Sequence, residues 1–412
     1  MKLVSRTSFL LVLAFATPVL ALDLRVGVGP GCDHGTLEPA LIAVRSLPGS
    51  HTIRINKGSY PVPDGVVYVP TVSQTAVLLE GGYDSCTSPS PSGSPTTDAQ
   101  RAVFNGAGGL SRSVLDLALL GRVGTFQMRR ITLTGGDAFN VEENFNAGGG
   151  LAIRGRASVL LGLGTSIRGN GAGRGGGVAL IGGAVTTGST PDKVDLFIDE
   201  GAEISANSAA AEGGGVYCGG AILPGQPNVL RHGSIVLRDG VIGSNTAPDG
   251  AAFHCYGSLE GGGGFQPRPR DNRLAWLLAN DDAAAPGPNC AAGMGTLDAG
   301  LPAGSDGFRE LGAAPGGNGL LAITSHSGER PALCLSGSYQ LGTTSIPAAQ
   351  SRFRLFNLLI TQQSGRDVLG LRVDSKLELE VAPSGDAVTC SFFGPVPCVT
   401  VFANDHAGAA VG

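Results

Sequence analysis

Four carboxylates and one guanidinium are the residues of this chain best suited to chemistry. Asp195, Asp199, Glu200 and Asp239 fall in neighbouring repeats of the sequence, and Arg238 precedes Asp239. Carboxylate oxygens gathered in this way can hold a hard cation such as Ca²⁺, and a basic side chain beside them can move a proton. The plainer reading makes them the solvent-facing positions of strands, and both stay open at this point. Arg268, Arg270 and Arg273 form a basic cluster that either grips an anionic glycan or decorates a solvated loop. His34 and His254 each stand near a Cys with no second ligand in reach, and are read as structural or surface residues. No Ser sits in a nucleophile-elbow context, so no Ser/His/Asp arrangement can be argued. None of the eight Cys belongs to a Cys-x-x-Cys pair, which favours disulfides over zinc. No metal site is assigned, and no cofactor is expected.

The elements that must position these side chains are written in a repeated phrase. A β-branched residue, two further residues, Asn and a small-residue turn lead into an apolar residue. The phrase reads Ile167-Arg-Gly-Asn170 to Gly175-Gly-Gly-Val178, then Ile204-Ser-Ala-Asn207 to Gly213-Gly-Gly-Val216, then Ile242-Gly-Ser-Asn245 to Gly250-Ala-Ala-Phe253. The Asn residues are 37 and 38 apart, a period that marks a solenoid. A weaker copy runs from Val401-Phe-Ala-Asn404 to Gly408-Ala-Ala-Val411.

One unit, Val194 to Tyr217, reads as three short strands separated by turns at Asp199-Glu-Gly201 and at the glycine run. Three strands make one triangular coil, and coils stack about 4.8 Å apart. The intervening stretches 182–193 and 219–231 read as Gly/Pro-rich corner loops. Cys218 and Cys255 occupy the same slot in successive units. One coil apart, their Cα atoms would lie about 5 Å from each other, and two coils apart about 10 Å, beyond disulfide range. One coil per repeat and a Cys218–Cys255 bond are therefore expected. Asn170, Asn207 and Asn245 should stack as a structural ladder at one corner, with Asn taking the left-handed conformation there.

Residues 1–21 carry Lys2, Arg6, an apolar run from Phe9 to Phe15 and Val19-Leu-Ala21. That run is too short to span a bilayer, and a cleaved secretory signal is the expected reading. The mature chain then holds 26 basic against 33 acidic residues, a net charge of −7, which argues against nucleic acid as a partner. No later segment has the length of a membrane helix. Aromatics make up 5 % of the chain, so the core must be narrow and aliphatic.

Thr36 to Leu47 carries Leu37, Leu41, Val44 and Leu47 at helical spacing, with Thr36 as N-cap. A short helix there would cover the open end of the stack. Residues 22–260 are thus read as a capped β-helix. Residues 261–319 read as an irregular Gly/Ala/Pro-rich excursion with a short helix near Leu274 to Leu278, and 320–412 as further coils. The last copy of the phrase ends at Val411, one residue before the end of the sequence, which leads us to expect that the natural chain continues or that a partner covers the end.

The opening Gly29-Pro-Gly31, the helix at 36–47, Ile53 to Tyr60 and the Asn…Gly-Gly-Gly-Val phrases resemble the right-handed parallel β-helix proteins of the pectin-lyase-like superfamily. With Gly182-Gly-Ala-Val185 and Gly219-Gly-Ala-Ile222, they are also similar to repeats of polymorphic outer-membrane proteins and autotransporter passengers. The resemblance implies an all-β right-handed parallel β-helix solenoid with an N-terminal helical cap and long corner loops. It is weak for activity, because such folds host lyases, hydrolases and adhesins. Of the polygalacturonase-type motifs only a paired Asp is present, Asp281-Asp282, within the excursion. For a lyase, the carboxylates named above would hold Ca²⁺ and Arg238 would serve the uronate carbon. The leading expectation is an exported, surface-exposed protein without catalysis, adhesin-like, binding a cell-surface glycan or protein. The alternatives are a polysaccharide lyase or hydrolase, and an autotransporter passenger lacking its barrel.

Overall fold

The computed structural model describes residues 21–107, 112–139, 147–181, 194–218, 233–248 and 250–256, and beyond them strand backbones as far as Phe402. The expected leader, the stretches 182–193 and 219–231, the three clustered arginines and Asn404 to Val411 lie outside the described residues.

Strands stack in parallel along one axis, and the repeated phrase supplies the reason. Ile167, Ile204, Ile242 and Val401, the β-branched residues of all four copies, fall in one register row. The row runs Phe104, Leu133, Ile167, Ile204, Ile242, Leu277, Ile323, Ile360, Val401 across a ten-stranded parallel sheet. Of this row, Phe104 to Ile242 are buried in the core. Each such side chain contributes about 1.5–3 kcal/mol by leaving water. Because strand side chains alternate, the residues between them must face outward.

One coil comprises the strands Val194–Ile198, Ala202–Ser205, Ser208–Glu212 and Val216–Cys218. Their equivalents above and below pair in parallel one repeat away, for example Val194 with Gly233 and Val216 with Phe253. The chain is a right-handed parallel β-helix with one coil per repeat. Where the sequence pattern leads to three strands per coil, Ser208–Glu212 is a fourth, in a sheet with Gly171–Arg174 and Thr246–Ala247. Its Ser-Ala-Ala-Ala-Glu sequence holds none of the β-branched or aromatic residues that favour strands, and pairing with the coils on either side makes it a strand. The first and last strands of the coil belong to one long sheet, because the uninterrupted strand Leu151–Leu161 pairs with Val178–Ile181 through one half and Val194–Ile198 through the other. Its register against Leu115–Arg129 shifts at Gly155, φ 93°.

The helix Leu37–Val44 covers the N-terminal end with Leu37, Ala40, Leu41 and Val44 buried. Thr36 is extended at the N-cap, and its side chain makes no cap bond.

Two expectations change. Residues 261–319 are not wholly irregular, since Gly264–Pro267, Leu274–Leu278 and Gly295–Asp298 are parallel strands continuing the stack. Leu274 to Leu278 is such a strand and not a helix, with Trp276 opposite Val241. Its short apolar run fits either period, and the waiting edge of Gly240–Gly243 decides for the strand. The left-handed corner residue is also not the Asn but the one before it: Gly169 at φ 62°, Ala206 at 52° and Ser244 at 53°.

Candidate functional site

Displacing the left-handed turn by one residue frees each Asn side chain to point inward. Asn170, Asn207 and Asn245 are 3 %, 1 % and 0 % exposed, which removes them from recognition. Asn207 Nδ2 donates to Ile167 O at 2.9 Å, and Asn245 Nδ2 to Ile204 O at 3.0 Å. Asn207 N donates to Asn245 Oδ1 at 3.0 Å, and Gly136 N to Asn170 Oδ1 at 2.9 Å. The ladder holds corners together and leaves no group for a ligand. Cys218 also faces the core, fully buried. It is disulfide-bonded, and its register partner in the next coil is Cys255.

The outward residues of the long sheet form the candidate site. On Val194–Ile198 the alternation sends Asp195 and Phe197 outward. Register extends these two positions into rows along the helix axis. One row is Ala76, Thr125, Ser158, Asp195, Ser234; the next is Leu78, Gln127, Leu160, Phe197, Val236. Leu78, Leu160 and Phe197 are half-buried, and Thr125 is exposed. A row that is apolar except at Gln127 therefore runs beside one that carries the Thr125 and Ser158 hydroxyls, with one step per coil; the last members, Val236 and Ser234, are buried.

A third line, of charges, borders the apolar row. Arg129 Nη2 lies 3.5 Å from Glu200 Oε2, and Arg238 Nη1 lies 3.6 Å from Asp199 Oδ2. The Arg238 guanidinium sits 4.6 Å from the centre of the Phe197 ring, within cation–π range. Of the carboxylates singled out from the sequence, Asp195, Asp199 and Glu200 are engaged in holding turns and coils. Asp199, 1 % exposed, accepts from Glu200 N at 2.9 Å. Glu200 Oε2 accepts from Leu163 N at 3.2 Å. Asp195 accepts from the Ser234 hydroxyl. Asp239 O accepts from Gly201 N at 2.6 Å. Among the described residues no three His, Cys, Asp or Glu side chains converge on a metal position.

Elsewhere on the outer surface, Asp116 lies beside Arg154 at 3.1 Å. Burial pushes its carboxyl above the usual range, and Arg154 pulls it back in part. His254 is buried and stacks on Tyr217, whose ring also receives Arg174. His34 lies in the N-terminal loop, where it forms a parallel bridge with Val26. Asp281–Asp282 pairs with Thr246 and Ala247 in the third sheet.

Leu78, Leu160, Phe197, Thr125 and Ser158 are not singled out by the sequence. Alternation along Val194 to Ile198 is the available signal for Phe197. Its neighbours are fixed only by register between coils whose spacing varies.

No family model matches the chain, and no curated protein matches it. Two solved structures are similar to it. A pectin methylesterase mutant in complex with a hexasaccharide is 11 % identical, the match covering 86 % of this chain and 92 % of that one, with a TM-score of 0.37. The pectin methylesterase of Aspergillus niger is 11 % identical over 95 % of this chain and 91 % of that one, with a TM-score of 0.29.

Proposed function

We propose that this protein is an exported, non-catalytic β-helix that binds an extended glycan along the outer face of its long sheet, as a surface-attachment protein does. The observation that carries the reading is the in-register pair of rows, Leu78–Gln127–Leu160–Phe197 beside Thr125–Ser158–Asp195, with Leu160 and Phe197 next to the Thr125 and Ser158 hydroxyls. A pyranose presents an apolar C–H face and a rim of hydroxyls, so an apolar row flanked by hydroxyls complements it. Repetition along the axis adds weak contacts of one kind, which suits a polymer more than a single sugar. Commitment of Asp195, Asp199 and Glu200 to structural hydrogen bonds speaks for binding without cleavage. The Cys32–Cys86 disulfide agrees with export into an oxidising compartment.

The test is retention in affinity electrophoresis through gels carrying pectin, alginate, cellulose derivatives or xylan, with each mixture also assayed for reducing ends and unsaturated products. Retention without product is expected, and Phe197→Ala should weaken it about tenfold, corresponding to ~1.4 kcal/mol. Failure to bind any polymer overturns the reading. Appearance of cleaved chains replaces it with a polysaccharide lyase or hydrolase of the pectin-lyase-like kind.

A further inference from the structure

We infer that residues 85–97 are a site of O-linked glycosylation, with Ser90, Ser94, Thr96 and Thr97 as the acceptors. Eight of these thirteen residues are Ser or Thr, three are Pro and none is charged. Ser/Thr-rich chain interleaved with Pro is the composition of segments that carry O-linked sugars, and the inference therefore rests on the proposed export. Repeated Pro keeps a chain extended and without internal backbone hydrogen bonds. The segment follows the strand Thr75–Tyr83, precedes the short helix Asp98–Gln100 and joins no sheet.

A chain of this composition has no apolar core of its own, and the coils grip its backbone instead. Cys86 is tied to Cys32, and Lys57 pairs with Asp84. Arg130 Nη1 donates to Ser92 O and to Gly93 O, both at 2.9 Å, and Arg101 Nε donates to Pro95 O at 2.7 Å. Past the segment, Asp98 accepts from the Thr132 hydroxyl at 2.9 Å and pairs with Arg168.

Being held by its ends and its carbonyls, the segment turns hydroxyls outward. Thr87, Ser90, Ser94, Thr96 and Thr97 are exposed. Thr87 bonds the Ser85 hydroxyl beside the disulfide, which leaves the four named residues. Thr97 makes no cap bond to the helix it precedes, and Ser94 and Thr96 bond each other at 3.3 Å. Nearby hydroxyls on the coils are already committed, Thr132 to Asp98 and Thr165 to Met128 O at 2.8 Å. An extended, outward acceptor chain is what a glycosyltransferase can reach.

In the transfer, the Ser or Thr hydroxyl oxygen bonds to the anomeric carbon of an activated glycosyl phosphate. The anomeric C–O bond to phosphate breaks, the phosphate leaves with the bonding electrons, and the hydroxyl proton passes to a base of the transferase. An exposed tip of small polar residues is otherwise a preferred place for proteolytic nicking. Sugars on four neighbouring hydroxyls keep a peptidase from that backbone.

The experiment is intact-mass and peptide mass analysis of the protein recovered from the medium of its own host. The mature chain should exceed its sequence mass by sugar increments, carried on the tryptic peptide that spans 58–101 and released by mild alkaline β-elimination. Replacing Ser90, Ser94, Thr96 and Thr97 together by Ala should return the sequence mass with unchanged β circular dichroism, and should leave residues 85–97 open to nicking. An exported chain at its sequence mass, sugars confined to other peptides, or an increment that is not sugar overturns the inference and leaves the glycan-binding face untouched. A chain kept inside the cell overturns export and this inference with it. If the fourfold variant does not fold, the peptide map of the natural protein decides alone.

Discussion

Asn207 turns its side-chain oxygen toward Asn170 and accepts two hydrogen bonds there, from the backbone N–H at 3.1 Å and from Nδ2 at 3.0 Å. Asn245 does the same for Asn207. One short amide thus satisfies backbone groups of a neighbouring coil that are sealed from water.

Asn207→Ala should therefore be costly. It strands the Asn170 N–H in the interior, worth about 1–3 kcal/mol when left unpaired, and takes one donor each from the Ile167 carbonyl and Asn245 Oδ1. A loss of about 3 kcal/mol is expected in urea unfolding. Asn207→Asp keeps the acceptor but loses the donor to Ile167 O, and should also destabilise. A loss below ~1 kcal/mol for Asn207→Ala would mean that the ladder is ornamental.

Gly214 distinguishes close approach from backbone freedom. A Cβ at Gly214 would lie 2.4 Å from the Thr246 oxygen and 2.6 Å from the Ala251 oxygen, both backbone atoms of the next coil. Gly201, at φ 73°, has open space around its Cβ position. Gly201→Ala should cost about 1–2 kcal/mol from the left-handed backbone alone. Gly214→Ala should cost clearly more, or prevent folding, because the coils must move apart. Comparison of the two melting temperatures decides it.

Burial raises Tyr60 and Tyr68 to about 12, against an ordinary value of about 10. Between those values the unfolded chain has released these protons and the folded chain has kept them. Stability should therefore fall as pH rises from about 10 and level off above about 12. The tyrosinate absorbance of the folded protein should show Tyr60 and Tyr68 titrating late, as Tyr83 also does through burial and its bond to Glu80, and Tyr68→Phe should remove one late-titrating ring. Titration of both near the ordinary value would show that the rings are not buried as described.

Cys218 is disulfide-bonded and stands opposite Cys255 in register. Peptide mapping without reductant should join those two residues. C218S/C255S should lose about 2–4 kcal/mol of stability. A cross-link from Cys218 to another cysteine would sink this assignment.

What the sequence determined by itself was the stack. Period, β-branched residues and Asn…Gly-Gly-Gly-Val phrases all act through neighbours one repeat away, so Ile167, Ile204 and Ile242 could be set in one row by counting, while Val401 joins that row only through the intervening coils. The tertiary structure decided everything that depends on which coil meets which surface. Ser208–Glu212 becomes a strand, and Leu274–Leu278 a strand and not a helix, because an unpaired edge lies beside each. The left-handed residue falls on Ala206 and Ser244 because their Asn neighbours must turn inward. Phe197 joins Leu160 and Leu78 only through register between coils separated by connections of unequal length, and Cys32 meets Cys86 only because the chain winds. Local chemistry writes the coil, whereas the face the protein offers to a ligand arises from contacts distant in sequence.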